Sequence, residues 1–252
     1  MEAKSRDDCV FLAKISEQAE RYPEMLEYVK GFVKYAGAQL MPEERSLLSV
    51  AYKNLTGNLR ASWRIISQLE EIEGPKARPF EFALMRKQRE KIERELIGVC
   101  EDVLNLLDKV LIPAALPGEE KVFYCKMKGD YYRYIAEFSR SDAQKRAATA
   151  SLDAYKLAYK TALSTLEATH PTRLGLALNF SVYYRDVLNS PERACHLAKH
   201  AFDEAVAVLD QMPEQTFRDS LIILQLLRDD LTVWFQEMQE QEKRDAAIRK
   251  PL

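Results

Sequence analysis

Glycine is scarce in this chain, with only eight in 252 residues. Few reversals can therefore rest on a left-handed glycine, which favours long helices joined by short breaks over tight hairpins. Long apolar runs are missing as well. None approaches the ~20 residues of a membrane-spanning helix, so no membrane insertion is expected. Met1 to Arg6 holds no apolar signal core, and a cytoplasmic chain, open also to the nucleus, is the expectation. Neither sign of charge dominates: 37 bases stand against 39 acids, a formal net charge of −2. No global field draws nucleic acid, so any anion recognition has to be local. The four cysteines, Cys9, Cys100, Cys125 and Cys195, show no CxxC spacing and read as thiols of a reducing compartment. There is no GxGxxG, Walker loop, GxSxG or HExxH, so neither a cofactor nor a catalytic residue is expected. His196 and His200 lie one turn apart beside Cys195, but without a further ligand nearby in sequence they read as surface side chains and not as a metal site.

What is present is an ordinary globular composition, 47% hydrophobic and 30% charged. Ten prolines parse it, because proline is costly inside a helix and natural at its first turn. Between them apolar residues recur at three and four, which predicts helices over 7–22, 24–35, 42–73, 80–112, 119–138, 143–168, 172–188, 191–211 and from 214 onward. Pro23 closes the first of these, Ser141-Asp142 caps the sixth, and Ser190-Pro191-Glu192 is a strong helix start. No period-2 strand pattern competes. The expected fold is all-α, nine antiparallel helices stacked in solenoid-like fashion. Residues 1–236 are expected to form one domain and 237–252 a charged tail, partly helical or disordered, without serine or threonine.

Two charge patterns organise the rest. In KMKGDYYRYIAE, Lys126, Asp130, Arg133 and Glu137 recur at i, i+4, i+7 and i+11, a stripe of alternating sign on one helical face, with Tyr134 beside Arg133. Upstream, Lys53, Arg60 and Arg64 repeat at i, i+7 and i+11. Such stripes commonly mark solvated faces. Two cationic ones facing each other would instead make a pocket for a doubly charged anion, with Asp130 and Glu137 holding the cations in place. A second pair of stripes mixes polar and apolar positions. Leu178 and Val182 sit one turn apart beside Asn179 and Asp186, while Ile222, Leu226, Asp230 and Trp234 recur every four residues. Polar Asn179 and Asp230 in apolar lines need partners, which the backbone of an extended peptide would supply.

RSLLSVAYKN (45–54), KMKGDYYRYIAE (126–137), LGLALNFSVYY (174–184) and LIILQLLRDDLTVW (221–234) together resemble the 14-3-3 proteins, and the likeness runs from about Leu12 to Trp234. The resemblance implies a homodimer, or a heterodimer with another isoform, of nine-helix protomers, each with an amphipathic concave groove for a phosphoserine or phosphothreonine peptide of a client protein. By matching motifs, Lys53, Arg60, Arg133 and Tyr134 would meet the phosphate, and Asn179 and Asp230 the peptide backbone. Leu178, Val182, Ile222 and Leu226 would form the apolar wall, with Lys126, Asp130, Glu137 and Asp186 in support. The dimer would use Leu12, Ala13 and Ser62, with Arg21 facing Glu95 and Glu24 facing Lys91. The implied role is a non-catalytic adaptor. A groove for unphosphorylated acidic peptides, or a purely dimeric helical scaffold, are the other readings.

The chain departs from the family at four places. Asp230 replaces an asparagine and, ionised, can only accept hydrogen bonds. Asp186 replaces a glutamate, with Arg185 where an aromatic is usual. Gln88 replaces an interface tyrosine. The tail balances four acids (Glu237, Glu240, Glu242, Asp245) against four bases (Lys243, Arg244, Arg249, Lys250) and offers no phosphorylation site.

Overall fold

Proline opens most of the helices. A computed structural model describes residues 5–37, 39–211 and 214–248, and in it proline stands in the first turn of five of them. The helices are α1 (Arg6–Gln18), α2 (Tyr22–Ala36), α3 (Pro42–Glu73) and α4 (Pro79–Leu106), the last continued by a π turn at Leu107–Leu111 and a final turn at Ile112–Ala114. They are followed by α5 (Glu119–Phe138), α6 (Ser141–Thr165), α7 (Pro171–Asp186), α8 (Pro191–Ala207) and α9 (Glu214–Ile248). Short 3-10 turns lie at Gly74–Lys76 and Leu209–Gln211. Among the described residues the chain is all-α, with nine helices and no strand.

Several boundaries differ from expectation for local reasons. Pro23 does not close α1. That helix ends at Gln18, Glu20 reverses the chain at φ 54°, and Pro23 sits in the first turn of α2. Ser141 is not a cap: Arg140 takes that position, and Ser141, at φ 53°, is already the first residue of α6. Ser190 does stand at the N-cap of α8 but makes no side-chain capping bond, so Pro191 carries that start. Pro113 lies within the end of α4, directly after the π turn, where the regular ladder is already interrupted. The tail from Glu237 continues α9 as far as Ile248; its last four residues, with Arg249 and Lys250, lie outside the described residues, as do Met212 and Pro213.

The chain divides into two compact units, residues 1–115 and 116–252. In the first, α1–α4 close over Met25, Val29, Phe32, Leu48, Leu96 and Leu107, all fully buried. Burying each such side chain is worth about 1.5–3 kcal/mol. Arg89 of α4 is buried too and is satisfied by Glu70 Oε2 at 2.6 Å and by Glu93, which braces α4 against α3. In the second unit, α5 lies along α6, and α7, α8 and α9 pack around Leu174, Ala198, Leu224, Leu227, Leu231 and Trp234. No described helix is long and apolar enough to cross a membrane, and no group of three metal-ligating side chains is present among the described residues.

Candidate functional site

Small residues bring α5 and α6 together. Ala147, Ser151, Ala154, Ala158 and Ala162 form the buried face of α6, with Tyr155 the one large side chain in that line. Opposite stands Gly129 of α5. A Cβ added there would meet the Tyr155 ring at 2.7 Å, so only glycine admits the ring. Ser151 Oγ donates to the Gly129 carbonyl at 2.8 Å and pins the approach.

This contact delivers the Tyr155 hydroxyl to the charged stripe. The hydroxyl donates to Asp130 Oδ1 at 2.5 Å and accepts from Arg133 Nε at 3.2 Å. Asp130 Oδ1 also accepts from Asn179 Nδ2 of α7 at 2.8 Å, and Oδ2 accepts from Lys126 Nζ at 3.0 Å. Arg133 lies 3.7 Å from Asp130, with its guanidinium 4.9 Å over the Tyr134 ring. Asp130 is 7% exposed, and the Arg133 side chain 12%. Burial pushes the Asp130 carboxyl up, but Lys126, then Arg133, and the bond from Tyr155 outweigh it and hold the carboxyl below its ordinary value. Burial likewise opposes the Arg133 charge, yet Tyr155, Tyr134 and Asp130 raise its pKa above the ordinary one. Tyr155 itself is pushed well up, by burial first and then by Asp130, and remains a neutral hydroxyl. Two cations therefore share one buried carboxylate. The cluster keeps a surplus positive charge and a fixed geometry, the conditions for receiving an anion without reorganisation.

The other expected residues of this unit are placed as follows. Glu137 is half-buried, one turn beyond Arg133. Leu178 and Val182 of α7 are half-buried and pack on the cluster that contains Leu227 and Leu231. Ile222 and Leu226 of α9 are 55% and 46% exposed, an open apolar line one turn apart, and Asp230 follows a turn later, half-buried. Burial raises the Asp230 carboxyl; Arg185 opposes this, while Asp186 and Asp229 add to it. Arg185 binds Asp186 at 2.9 Å and Glu237, and lies 5.9 Å over Trp234, so it clasps the end of α7 to α9.

In the first unit, Lys53, Arg60 and Arg64 lie along α3, with Lys53 and Arg64 exposed and Arg60 half-buried. Leu12 is half-buried and Ser62 exposed, whereas Ala13 has no accessible surface. Of the four charges expected at a dimer interface, Arg21 pairs with Glu24, and Lys91 with Glu95 at 3.9 Å, within the single chain. Exposed apolar side chains of this unit include Phe11 and Ile15 on α1, Ile65, Leu69 and Ile72 on α3, and Phe80 and Leu84 on α4. A hollow of about 530 Å³ between α3 and α4 is lined by Ile66, Leu69, Leu84, Met85 and Gln88.

Tyr155 had no assigned role in the sequence reading. Its signal was there as the single bulky residue in an otherwise small-residue line on α6.

A model of the 14-3-3 protein family matches residues 12–235. Protein BMH2 of Saccharomyces cerevisiae is 53% identical over 244 residues, covering 96% of this chain and 89% of its own. The 14-3-3-like protein GF14 omega of Arabidopsis thaliana is 53% identical over 253 residues, 99% of this chain and 98% of its own. Checkpoint signal transducer rad25 of Schizosaccharomyces pombe is 56% identical over 232 residues, 92% and 86% of the respective chains.

Proposed function

The chain belongs to the 14-3-3 family of client-binding adaptors, which are not enzymes, and from that premise we propose that it clamps client proteins through a phosphoserine or phosphothreonine. The observation that carries this is the buried cluster on α5. A phosphorylated side chain brings roughly −1.5 to −2 charges, and Arg133, held by Asp130 and Tyr155, is a guanidinium fork fixed in advance for its oxygens. Tyr134 adds a hydroxyl beside it. Lys53 and Arg60 of α3 are given the same role by the family motif, and each is a separate test of it.

The peptide backbone is assigned to Asn179 and Asp230. The bond to Asp130 takes one N–H of Asn179, and an amide also carries a second N–H and a carbonyl. Leu178, Val182, Ile222 and Leu226 supply the apolar wall, and Lys126, Asp130, Glu137 and Asp186 the support. The exposed apolar side chains of α1, α3 and α4 are assigned to a second copy of this chain or a related isoform, since Leu69 and Leu84 line one open apolar hollow between α3 and α4 together with Ile66 and Met85. A dimer presents two phosphate sites, and a doubly phosphorylated client gains avidity by effective concentration. Masking or holding a client in this way would regulate its activity, conformation or localisation in the cytoplasm and nucleus.

Fluorescence polarisation tests the reading with three forms of one peptide: phosphoserine, unmodified serine and glutamate. The phosphopeptide is expected to bind at least about tenfold more tightly than the other two. Arg133→Ala, Lys53→Ala and Arg60→Ala should each lower that affinity. Equal binding of the glutamate or unmodified form, or an indifferent Arg133→Ala, overturns the proposal in favour of an acidic-peptide groove or a plain scaffold.

A further inference from the structure

The second unit holds another basic concavity, lined by residues that take no part in the phosphate cluster. A hollow of about 650 Å³ opens between α6 and α8 over one side of α7. This is the size range of small-molecule sites. Its floor is aromatic and apolar: Tyr159, Leu163, Phe180, Tyr184 and Leu197. Its rim is cationic from both sides. The cations are Lys156 and Lys160 of α6, one turn apart, and Arg193 of α8, with the His196 side chain completing the rim. No carboxylate lines it. None of these four rim residues forms an ion pair among the described residues, although Lys126, Arg133, Arg173, Arg185 and Lys199 of the same unit all do. Glu204, which acts on Tyr159, is already engaged by Arg173 at 2.8 Å and lies 3.2 Å from His200.

The floor also has a direction. Tyr155, Phe180 and Tyr184 form a ladder of nearly parallel rings, with centroids 5.2 Å and 4.7 Å apart and planes inclined by 21° and 27°. Tyr155 is buried at one end of it, and Tyr184, half-buried, lines the hollow at the other. A ladder that ends at an open hollow can take one more ring, because offset stacking is favourable beyond the area it buries. The rim cations then need an anion within reach of that ring. Inorganic phosphate alone would leave the apolar floor wet, and a neutral aromatic would leave the cations without a counter-charge. We propose that this hollow is a ligand site for a small planar ring carrying a phosphate, of the nucleoside or aryl monophosphate class, with the ring on Tyr184 and Leu163 and the phosphate between Lys160 and Arg193.

The test is a methyl NMR titration of the intact protein with adenosine 5′-monophosphate, phenyl phosphate, adenosine and inorganic phosphate, with Leu163 and Leu197 followed. The two aromatic phosphates are expected to shift both leucines saturably. Adenosine and inorganic phosphate should each be about tenfold weaker or inert. The double reversal Lys160→Glu/Arg193→Glu lies on exposed rim positions, and should abolish these shifts while leaving the helical signal and phosphoserine-peptide affinity as they were. Response to only one of the two aromatic phosphates decides which source the site selects and still supports it. No shift at Leu163 and Leu197, shifts that survive the charge reversal, or neutral adenosine binding as well as its monophosphate would each overturn the proposal.

Discussion

Gly129→Ala should destabilise this protein although it replaces glycine by alanine in the middle of a helix. In an open helical position that change removes backbone entropy from the unfolded chain and is worth about 0.5–1 kcal/mol in favour of the fold. At position 129 the new Cβ would lie 2.7 Å from two ring carbons of Tyr155 and 2.9 Å from a third. The ring has nowhere to retreat, since Phe180 stacks on it at 5.2 Å and Tyr183 crowds it at 5.7 Å. Overpacking of this kind costs about 1–3 kcal/mol. Displacing Tyr155 also strips a buried hydrogen bond from Asp130 and one from Arg133, at about 1–3 kcal/mol for groups left unsatisfied. The penalties exceed the propensity gain, and the net loss should be about 2–4 kcal/mol. Gly98 is the control: it is an exposed residue of α4 with nothing within 4 Å of an added Cβ, so Gly98→Ala should stabilise by about 0.5–1 kcal/mol. Urea denaturation of both variants beside the parent measures the difference, and phosphopeptide titration reads the loss of Arg133 positioning. A Gly129→Ala variant as stable as Gly98→Ala, or one that binds phosphopeptide normally, would refute the account of how α6 positions the cluster.

Asp230→Asn restores a donor and removes a carboxyl whose ionised form burial disfavours, so phosphopeptide affinity should rise about tenfold; unchanged or weaker binding in a titration rejects this. His170 caps α7 by accepting the Thr172 N–H on Nδ1 at 3.1 Å, and burial holds its pKa below the ordinary value despite Glu119. A depressed folded value means the cap's contribution, about 1 kcal/mol, is complete above the unfolded pKa of about 6.5 and is lost as pH falls through the lower folded one. His170→Asn keeps an acceptor without a titrating ring, so comparing urea midpoints at pH 7.5 and 5.5 should show a smaller acid loss in the variant; identical losses would contradict the role given to His170.

Much of the fold was legible because helix period, proline and a few caps all point the same way. The failures are local. Pro23 was assigned to the wrong helix because a proline after an apolar stripe marks either an end or a beginning, and only the left-handed Glu20 decides between them. The π turn in α4 left no trace, because LDKVL holds neither glycine nor proline and keeps ordinary helix-forming residues throughout. At the site, residue spacing brought Lys126, Asp130 and Arg133 to one face, since i, i+4 and i+7 are neighbours on any helix. It did not reveal that this face is buried, because charges at helical spacing look the same whether water or a tyrosine from 25 residues away satisfies them. Nor did it show that Arg185 would bind Asp186 and Glu237, a link that depends on where the far end of α9 comes to lie.

All four thiols are sequestered: Cys9, Cys100, Cys125 and Cys195 are each at most 5% exposed and none is in a disulfide. Burial first of all raises the Cys9 and Cys195 thiols, and takes Cys100 to about 12. A shielded, protonated sulfur is a poor nucleophile. Oxidants and alkylating reagents that act on exposed thiolates should therefore pass this protein by while it stays folded. A single cysteine introduced at a surface position would be the one site a maleimide dye or spin label finds, with the natural background already silent.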